Sequence, residues 1–238
     1  PSSLQTPWYA VLGNHDYKGN TTAQIEYTKY SARWHLPTNY YTKSFTAEDG
    51  ATIDIIVIDT VNLASSNEKS DEAEAGYFDP LPLKAKSYAT EQWTWIETQL
   101  SQSKADYILV SGHYPVYSAC EHGNTESLIT HLLPLLQQYN AHYLSGHDHC
   151  MEHIVDPAAP SVNHFLSGMG ATCCYRLSNR NNIPKESLQF YVALDNREGA
   201  QSGFTSFEVS KSALVSKYYN QDGTLLYTAP SIAPRVLN

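Results

Sequence analysis

The chain is 238 residues long, 42% hydrophobic, with a formal net charge of −9 and an isoelectric point near 5.5. That length and apolar content suffice for one substantial core, so a single domain over 1–238 is expected. The acidic balance, with no Lys or Arg cluster, argues against an extended nucleic-acid surface, and no apolar run approaches a membrane span or a secretory leader.

Trp8 to Leu12 is a short aromatic and branched run that stops at Gly13, predicting a buried strand that turns into Asn14-His15-Asp16. So little precedes it that no companion strands fit upstream, and the chain is expected to be N-terminally truncated. Thr22 to Trp34 predicts a helix, followed by a loop rich in Tyr and Pro. Thr52 to Asp59, Thr-Ile-Asp-Ile-Ile-Val-Ile-Asp, predicts a strong strand. Residues 62–87 read as a long acidic loop, a length that usually carries function or disorder. Trp93, Ile96 and Leu100 mark one face of a helix beginning near Thr90. Tyr107 to Val110 is a second strand, running into Gly112-His113. Leu128, Leu132, Leu135 and Leu136 mark another helix, which Pro134 should end or kink. His142 to Leu144 is a third strand, running into Gly146-His147-Asp148-His149. From Gln189 onward the pattern is β, with Phe204 to Val209, Leu214 to Tyr219 and, past an Asp222-Gly223 turn, Leu225 to Tyr227. The class is α/β with a β-rich end.

Each of the three glycine-anchored segments sits just past a strand's carboxyl end, the edge where open α/β sheets bind ligands. Asn14, His113, His147 and His149 offer one amide oxygen and three imidazoles, which fit a transition metal better than calcium. His147 and His149, as alternate residues of an extended segment, are expected to point the same way. Asp16 and Asp148 have two readings, orienting an imidazole or shaping a turn. His35, His131, His142, His153 and His164 lack such company and read as structural or solvated. The cysteines Cys120, Cys150, Cys173 and Cys174 could pair in an oxidising compartment or stay buried thiols. Asn20-Thr21-Thr22 is a glycosylation tripeptide that supports a secretory route.

The segments Trp8-Tyr9-Ala10-Val11-Leu12-Gly13-Asn14-His15-Asp16, Gly19-Asn20, Ser111-Gly112-His113-Tyr114-Pro115-Val116, Glu121-His122-Gly123 and Gly146-His147-Asp148-His149 closely resemble the purple acid phosphatases, a branch of the calcineurin-like metallophosphoesterases. The match is nearest to the small tartrate-resistant acid phosphatases and covers nearly the whole chain. The resemblance implies a four-layer α/β/β/α sandwich, here lacking its N-terminal strands, around a dinuclear centre of Fe(III) with a divalent Fe, Zn or Mn. It places Asn14, His113 and His147 on the divalent ion and His149 on the ferric ion. His15 and His122 become the pair that contacts substrate phosphate and protonates the leaving group. Two metals clamp a phosphoryl group and lower the pKa of a bound water, while an imidazole supplies the remaining proton.

The resemblance also implies an acid phosphatase acting as a monomer on small phosphomonoesters or phosphoproteins, with no nucleic-acid or membrane partner, secreted or lysosomal or vacuolar. Its alternatives are a phosphodiesterase and a non-catalytic fragment. The family's Asp-x-Gly and Gly-Asp-x-x-Tyr segments, which supply a terminal carboxylate, the bridging Asp and a tyrosinate, would lie upstream of Gly13 and are missing from the chain. Residues 62–87 resemble the family's repression loop. The disulfide that ties this loop down in animal members is absent, because the corresponding positions are Ala64 and Ser127.

Overall fold

The computed structural model describes residues 5–65, 86–170, 173–197 and 199–236. Of the loop expected over 62–87, residues 66–85 lie outside them, while 62–65 and 86–87 belong to helices rather than to a loop. The chain opens with β1 (Trp8–Tyr9), α1 (Asn14–Tyr17), α2 (Thr21–Tyr27), β2 (Trp34–His35), β3 (Tyr41–Thr46), β4 (Thr52–Val57) and α3 (Thr60–Ser65). It continues with α4 (Lys86–Gln102), β5 (Tyr107–Ser111), α5 (Glu126–Tyr139), β6 (His142–Ser145), β7 (Met151–Val155) and β8 (Asn163–Ser167). The last strands are β9 (Leu188–Val192), β10 (Gly203–Val209), β11 (Leu214–Asn220) and β12 (Leu225–Thr228).

A seven-stranded sheet in the order β3-β4-β5-β6-β8-β7-β9 forms the centre. Its strands β4, β5, β6 and β8 are parallel, with antiparallel neighbours at both edges. Alternation along each strand sends side chains to two different cores. Ile56, Ile108, Val110 and Tyr143 meet Leu63, Ile96, Leu100, Leu128, Leu132 and Leu136 of α3, α4 and α5. On the opposite face Ile53, Tyr107, Leu109, Met151, Phe165 and Val192 meet Leu214 and Tyr218 of the antiparallel sheet β10-β11-β12. The mixed α/β sandwich expected from the sequence is thus present, its described helices α3–α5 covering one face and the small sheet the other. A third cluster, with Leu12, Tyr17, Leu36, Tyr41, Val57 and Val61, fastens the N-terminal elements to the edge of the main sheet.

Three expectations change. The helix expected from Thr22 to Trp34 ends at Tyr27, because the indole N–H of Trp34 donates to the Gln24 carbonyl (2.9 Å) and Trp34 pairs with Trp8 in a short parallel ladder. The strand expected over Trp8 to Leu12 is correspondingly only the two-residue β1. Pro134 does not end α5, which runs to Tyr139. Thr130, whose carbonyl Pro134 cannot serve, and Pro134 itself are both solvent-exposed, so water can satisfy the freed oxygen. The helix closes on Asn140 in the left-handed region (φ 47°).

Candidate metal centre

Because β5 and β6 are parallel neighbours, their carboxyl ends lie side by side, and the segments that follow are stitched together. Gly112 N–H donates to the Leu144 carbonyl (3.1 Å), and Gly146 N–H to the His113 carbonyl (3.0 Å). Gly112 is held to its residue type by space: a Cβ there would lie 2.5 Å from both Thr60 Cγ2 and Tyr143 Oη. Thr60, first residue of α3, accepts the backbone N–H groups of His113 (3.1 Å) and Tyr114 (2.9 Å) on its hydroxyl and so sets the course of the segment.

The third contributor arrives from the N-terminal cluster. Gly13 caps the single turn α1, with its N–H donated to Asp16 Oδ2 (2.8 Å), while Asp16 Oδ1 accepts from Gln24 (2.8 Å). Asp16 is therefore a turn and capping residue, the second of its two sequence readings. One turn on, Tyr17 donates to the buried Asp59 Oδ2 (2.5 Å) and accepts from Asn39 (2.9 Å) and Asn62 (2.6 Å). This network anchors α1 beside the end of β4, and it buries Asn14 while leaving His15 exposed near Lys18.

The result is a close convergence of donors. Asn14 Oδ1 lies 2.8 Å from His113 Nε2, which lies 3.2 Å from His147 Nδ1. One ring proton cannot serve both contacts of His113 Nε2 linearly, yet a single cation can. Two ligands of one tetrahedral ion, each about 2.0–2.1 Å from it, stand about 3.3 Å apart, close to these spacings. Burial holds His113 down to about 4, and it pushes His147 lower still, with the neighbouring imidazoles adding to both effects. Neutral imidazole is the state that binds a metal. The donor chemistry fits a transition-metal ion.

His147 has φ 70°, a left-handed conformation uncommon for a residue with a side chain and typical of strained functional sites. The segment is therefore bent rather than extended, so the alternation expected of an extended strand does not set the directions of His147 and His149. The ring of His147 packs against His113, Tyr114 and His122 (centroids 5.0, 4.6 and 4.3 Å), whereas that of His149 stacks face to face on Tyr175 (4.4 Å, 8° between planes). His149 Nδ1 is buried and has no hydrogen-bond partner among the described residues, the condition of a nitrogen whose lone pair is open to a metal ion.

His122 reaches the group from the loop after β5. Asp148, fully buried, accepts the Ser118 hydroxyl (2.5 Å) on one carboxylate oxygen and the His122 N–H (2.9 Å) on the other. Asp148 is thereby the strut between the His122 loop and the His147 segment. A Cys120–Cys150 disulfide joins the same two segments, and Cys173 is paired with Cys174. Both pairings settle what the sequence left open. Among the described residues the only compact group of three His, Cys, Asp or Glu donors is Cys120, Cys150 and Glu152. Its sulfurs are already bonded to each other, so it offers no thiolate ligand.

The structure thus brings Asn14, His113, His147 and His122 together, sets His149 beside Tyr175, and leaves His15 on the surface at the rim. Tyr175 escaped the sequence reading. It stacks on His149 and meets His122 edge-on (5.4 Å), and its backbone N–H donates to the His149 carbonyl (3.1 Å). Among 18 tyrosines its one sequence mark is its place just after the adjacent Cys173-Cys174. The carboxylates of Asp16 and Asp148 are both committed to hydrogen bonds, Asp16 within its own turn and to Gln24, Asp148 to Ser118 and His122.

Comparison with known proteins follows the same lines. Residues 2–151 match the calcineurin-like phosphoesterase family. The chain is 34% identical over 223 residues to tartrate-resistant acid phosphatase type 5 of Mus musculus, covering 93% of this chain and 65% of that protein. It is 34% identical over 230 residues to the Homo sapiens protein of the same name, covering 95% and 67%, and 31% identical over 228 residues to purple acid phosphatase 4 of Arabidopsis thaliana, covering 94% and 62%. The chain therefore spans about two thirds of the length of these relatives. Its fold is similar to that of GAP50, the anchor in the inner membrane complex of Plasmodium, with a TM-score of 0.73 at 24% identity over 97% of this chain and 67% of the other. A dimetal phosphatase from Danio rerio matches with a TM-score of 0.53 at 13% identity, over 94% and 71%.

Proposed function

Because the chain belongs to the calcineurin-like phosphoesterase family, and within it to the purple acid phosphatases, we propose that it serves acid hydrolysis of phosphate monoesters at the site built around Asn14, His113, His147 and His149. The observation that carries this reading is the convergence of Asn14 Oδ1, His113 Nε2 and His147 Nδ1 within 2.8 and 3.2 Å at the carboxyl ends of parallel strands. Metallophosphoesterase relatives imply a dinuclear centre. In our reading Asn14, His113 and His147 hold the divalent ion and His149 belongs to a ferric ion. Such a pair neutralises phosphoryl oxygens and makes water a competent nucleophile near neutral pH.

The chain's own side chains do the rest. His122, steadied by Asp148 through its backbone, donates the proton that the departing alkoxide needs, and His15, exposed at the rim beside Lys18, attracts the substrate dianion. The metal donors in this reading are neutral, the Asn14 amide and the imidazoles of His113, His147 and His149, so a substrate phosphate would supply negative charge that the cations require. The same proposal extends to small phosphomonoesters or phosphoproteins as substrates. A secretory route, ending outside the cell or in a lysosome or vacuole, is supported by the cysteine pairs and the exposed Asn20. No helix among the described residues is long and apolar enough to cross a membrane.

The test is metal binding followed by substrate choice. Calorimetric titration of zinc or ferrous ion into the metal-free chain should show a site that Asn14→Ala and His147→Ala each weaken by more than the ~10–100-fold typical of losing a ligand's supporting partner. Phosphate release should be faster from p-nitrophenyl phosphate than from its bis ester. Zinc affinity untouched by both substitutions, or a clear preference for the diester, would overturn the reading.

A further inference from the structure

At the other end of the seven-stranded sheet lies a cleft of about 540 Å³, bounded by the start of β6, the end of β7 and the extended run 230–235. Its volume is that of a small-molecule site. It is separate from the metal centre: His142 begins β6 on the cleft side, whereas His147 lies past the far end of that strand. Pro157, Pro160 and Ile232 give it apolar walls, and no Asp or Glu lines it among the described residues.

Its polar groups are donors prepared for an acceptor. His142 is 3% exposed, and its Nδ1 accepts the backbone N–H of Asn163 (3.3 Å). That bond fixes the tautomer, so the proton sits on Nε2. Nε2 has no hydrogen-bond partner among the described residues, and it is the donor left over on a residue that lines the cleft. His153 braces this arrangement, with Nε2 2.9 Å from Asn163 Oδ1 and Nδ1 3.1 Å from the Tyr227 hydroxyl.

Arg235 supplies the charge. Its backbone N–H donates to the Asp106 carbonyl (2.8 Å), and one guanidinium nitrogen donates to the Ala105 carbonyl (3.2 Å) and the Ser103 hydroxyl (3.5 Å). The fork carries further N–H groups, and Arg235 acts electrostatically on His142, helping to keep that ring neutral and a donor. Asp54, the carboxylate that acts on Arg235, is engaged by the Ser44 and Ser103 hydroxyls and does not line the cleft.

We propose that this cleft is a second ligand site, which binds a small organic oxyanion between His142 Nε2 and the Arg235 guanidinium with the apolar body of the ligand against the proline walls. A guanidinium fork beside a neutral N–H donor suits a carboxylate or a phosphate ester, and the apolar walls select against a bare inorganic ion.

The site is tested by amide and imidazole NMR on the metal-free chain in chelator, titrated separately with benzoate, phenyl phosphate and inorganic phosphate. Saturable shifts at the Asn163 amide and the His142 ring with benzoate or phenyl phosphate are expected. The tighter of the two identifies the head group as carboxylate or phosphate ester. Arg235→Gln should weaken binding about tenfold while leaving the spectrum dispersed, and Arg235→Lys should fall between. His142→Gln should weaken it as well. Shifts confined to Asn14, His113 and His147, equal affinity in Arg235→Gln, or inorganic phosphate binding as tightly as the organic probes would each overturn the proposal. Since no metal is present, failure here leaves the phosphatase reading untouched, and the reverse also holds.

Discussion

At the scale of single residues, the candidate centre depends on side chains whose neighbours hold them in place. Metal-binding histidines ordinarily donate their second nitrogen to a carboxylate or carbonyl that fixes the ring. The open nitrogen of His149, Nδ1, is the one read above as facing the metal, and its ring lies flat against Tyr175. Stacking of this kind is worth about 0.5–1.5 kcal/mol beyond burial. Tyr175→Phe should therefore keep the His149 ring resonances where they are, whereas Tyr175→Leu should move them and broaden them. Unmoved resonances in the Leu variant would show that the ring is held by something else. The conformation of His147 invites a parallel experiment: His147→Gly relieves the left-handed backbone but removes a donor, so it should raise thermal stability or leave it unchanged while weakening the metal affinity as far as His147→Ala does.

At the scale of elements, two features carry measurable free energy. Pro134 removes one backbone hydrogen bond from α5 and sits on the solvent side, so Pro134→Ala should stabilise the chain by up to about 3 kcal/mol in urea unfolding. The Cys120–Cys150 bridge closes a span of 30 residues between the His122 loop and the His147 segment. Replacing both cysteines by serine should cost about 2–4 kcal/mol. The loop should nevertheless keep its place, because Ser118 and His122 still bind Asp148 and Ala119 N–H still meets Glu152 Oε2 (3.1 Å). A double variant whose His122 resonances disperse as in the parent would bear this out. These elements were unevenly legible. Glycine-ended strands β5 and β6 stand out because full burial demands unbroken apolar runs, whereas β7 and β8 carry Glu152, His153 and His164 in a fully interior sheet and do not read as strands at all.

Across the whole molecule, buried ionisable groups set opposing limits on stability. Burial holds His142 down to about 4 and His164 to about 3, against 6.5 for free histidine. The unfolded chain therefore takes up protons below pH 6.5 that the folded chain refuses, and stability present above 6.5 is lost as the pH falls toward 4 and 3. Glu152 behaves in the opposite sense. Burial raises it to about 8 from 4.5, so the folded chain keeps a proton that the unfolded chain gives up. Its share of stability is present below 4.5 and lost as the pH rises toward 8. Glu152→Gln copies the protonated carboxyl, so its stability relative to the parent should increase steadily between pH 4.5 and 8. A constant difference across that range would mean that Glu152 is ionised in the fold.

What the amino-acid sequence determined by itself is local and compositional: which runs become buried strands, where glycine permits a turn, and which segments bear imidazoles at strand ends. Asn14, His113 and His147 were recognisable because each follows its glycine directly, a relation that survives whatever the rest of the chain does. Tertiary structure alone decided which donors meet. His147 and His149 meet different rings across a left-handed bend, Asp148 serves a loop 26 positions upstream, and Tyr175 stacks on His149 with a backbone hydrogen bond between separate segments. The cleft between His142 and Arg235 joins residues from the middle and the end of the chain. Contacts of this kind depend on sheet order and on close packing of side chains, and neither is written in any short window of sequence.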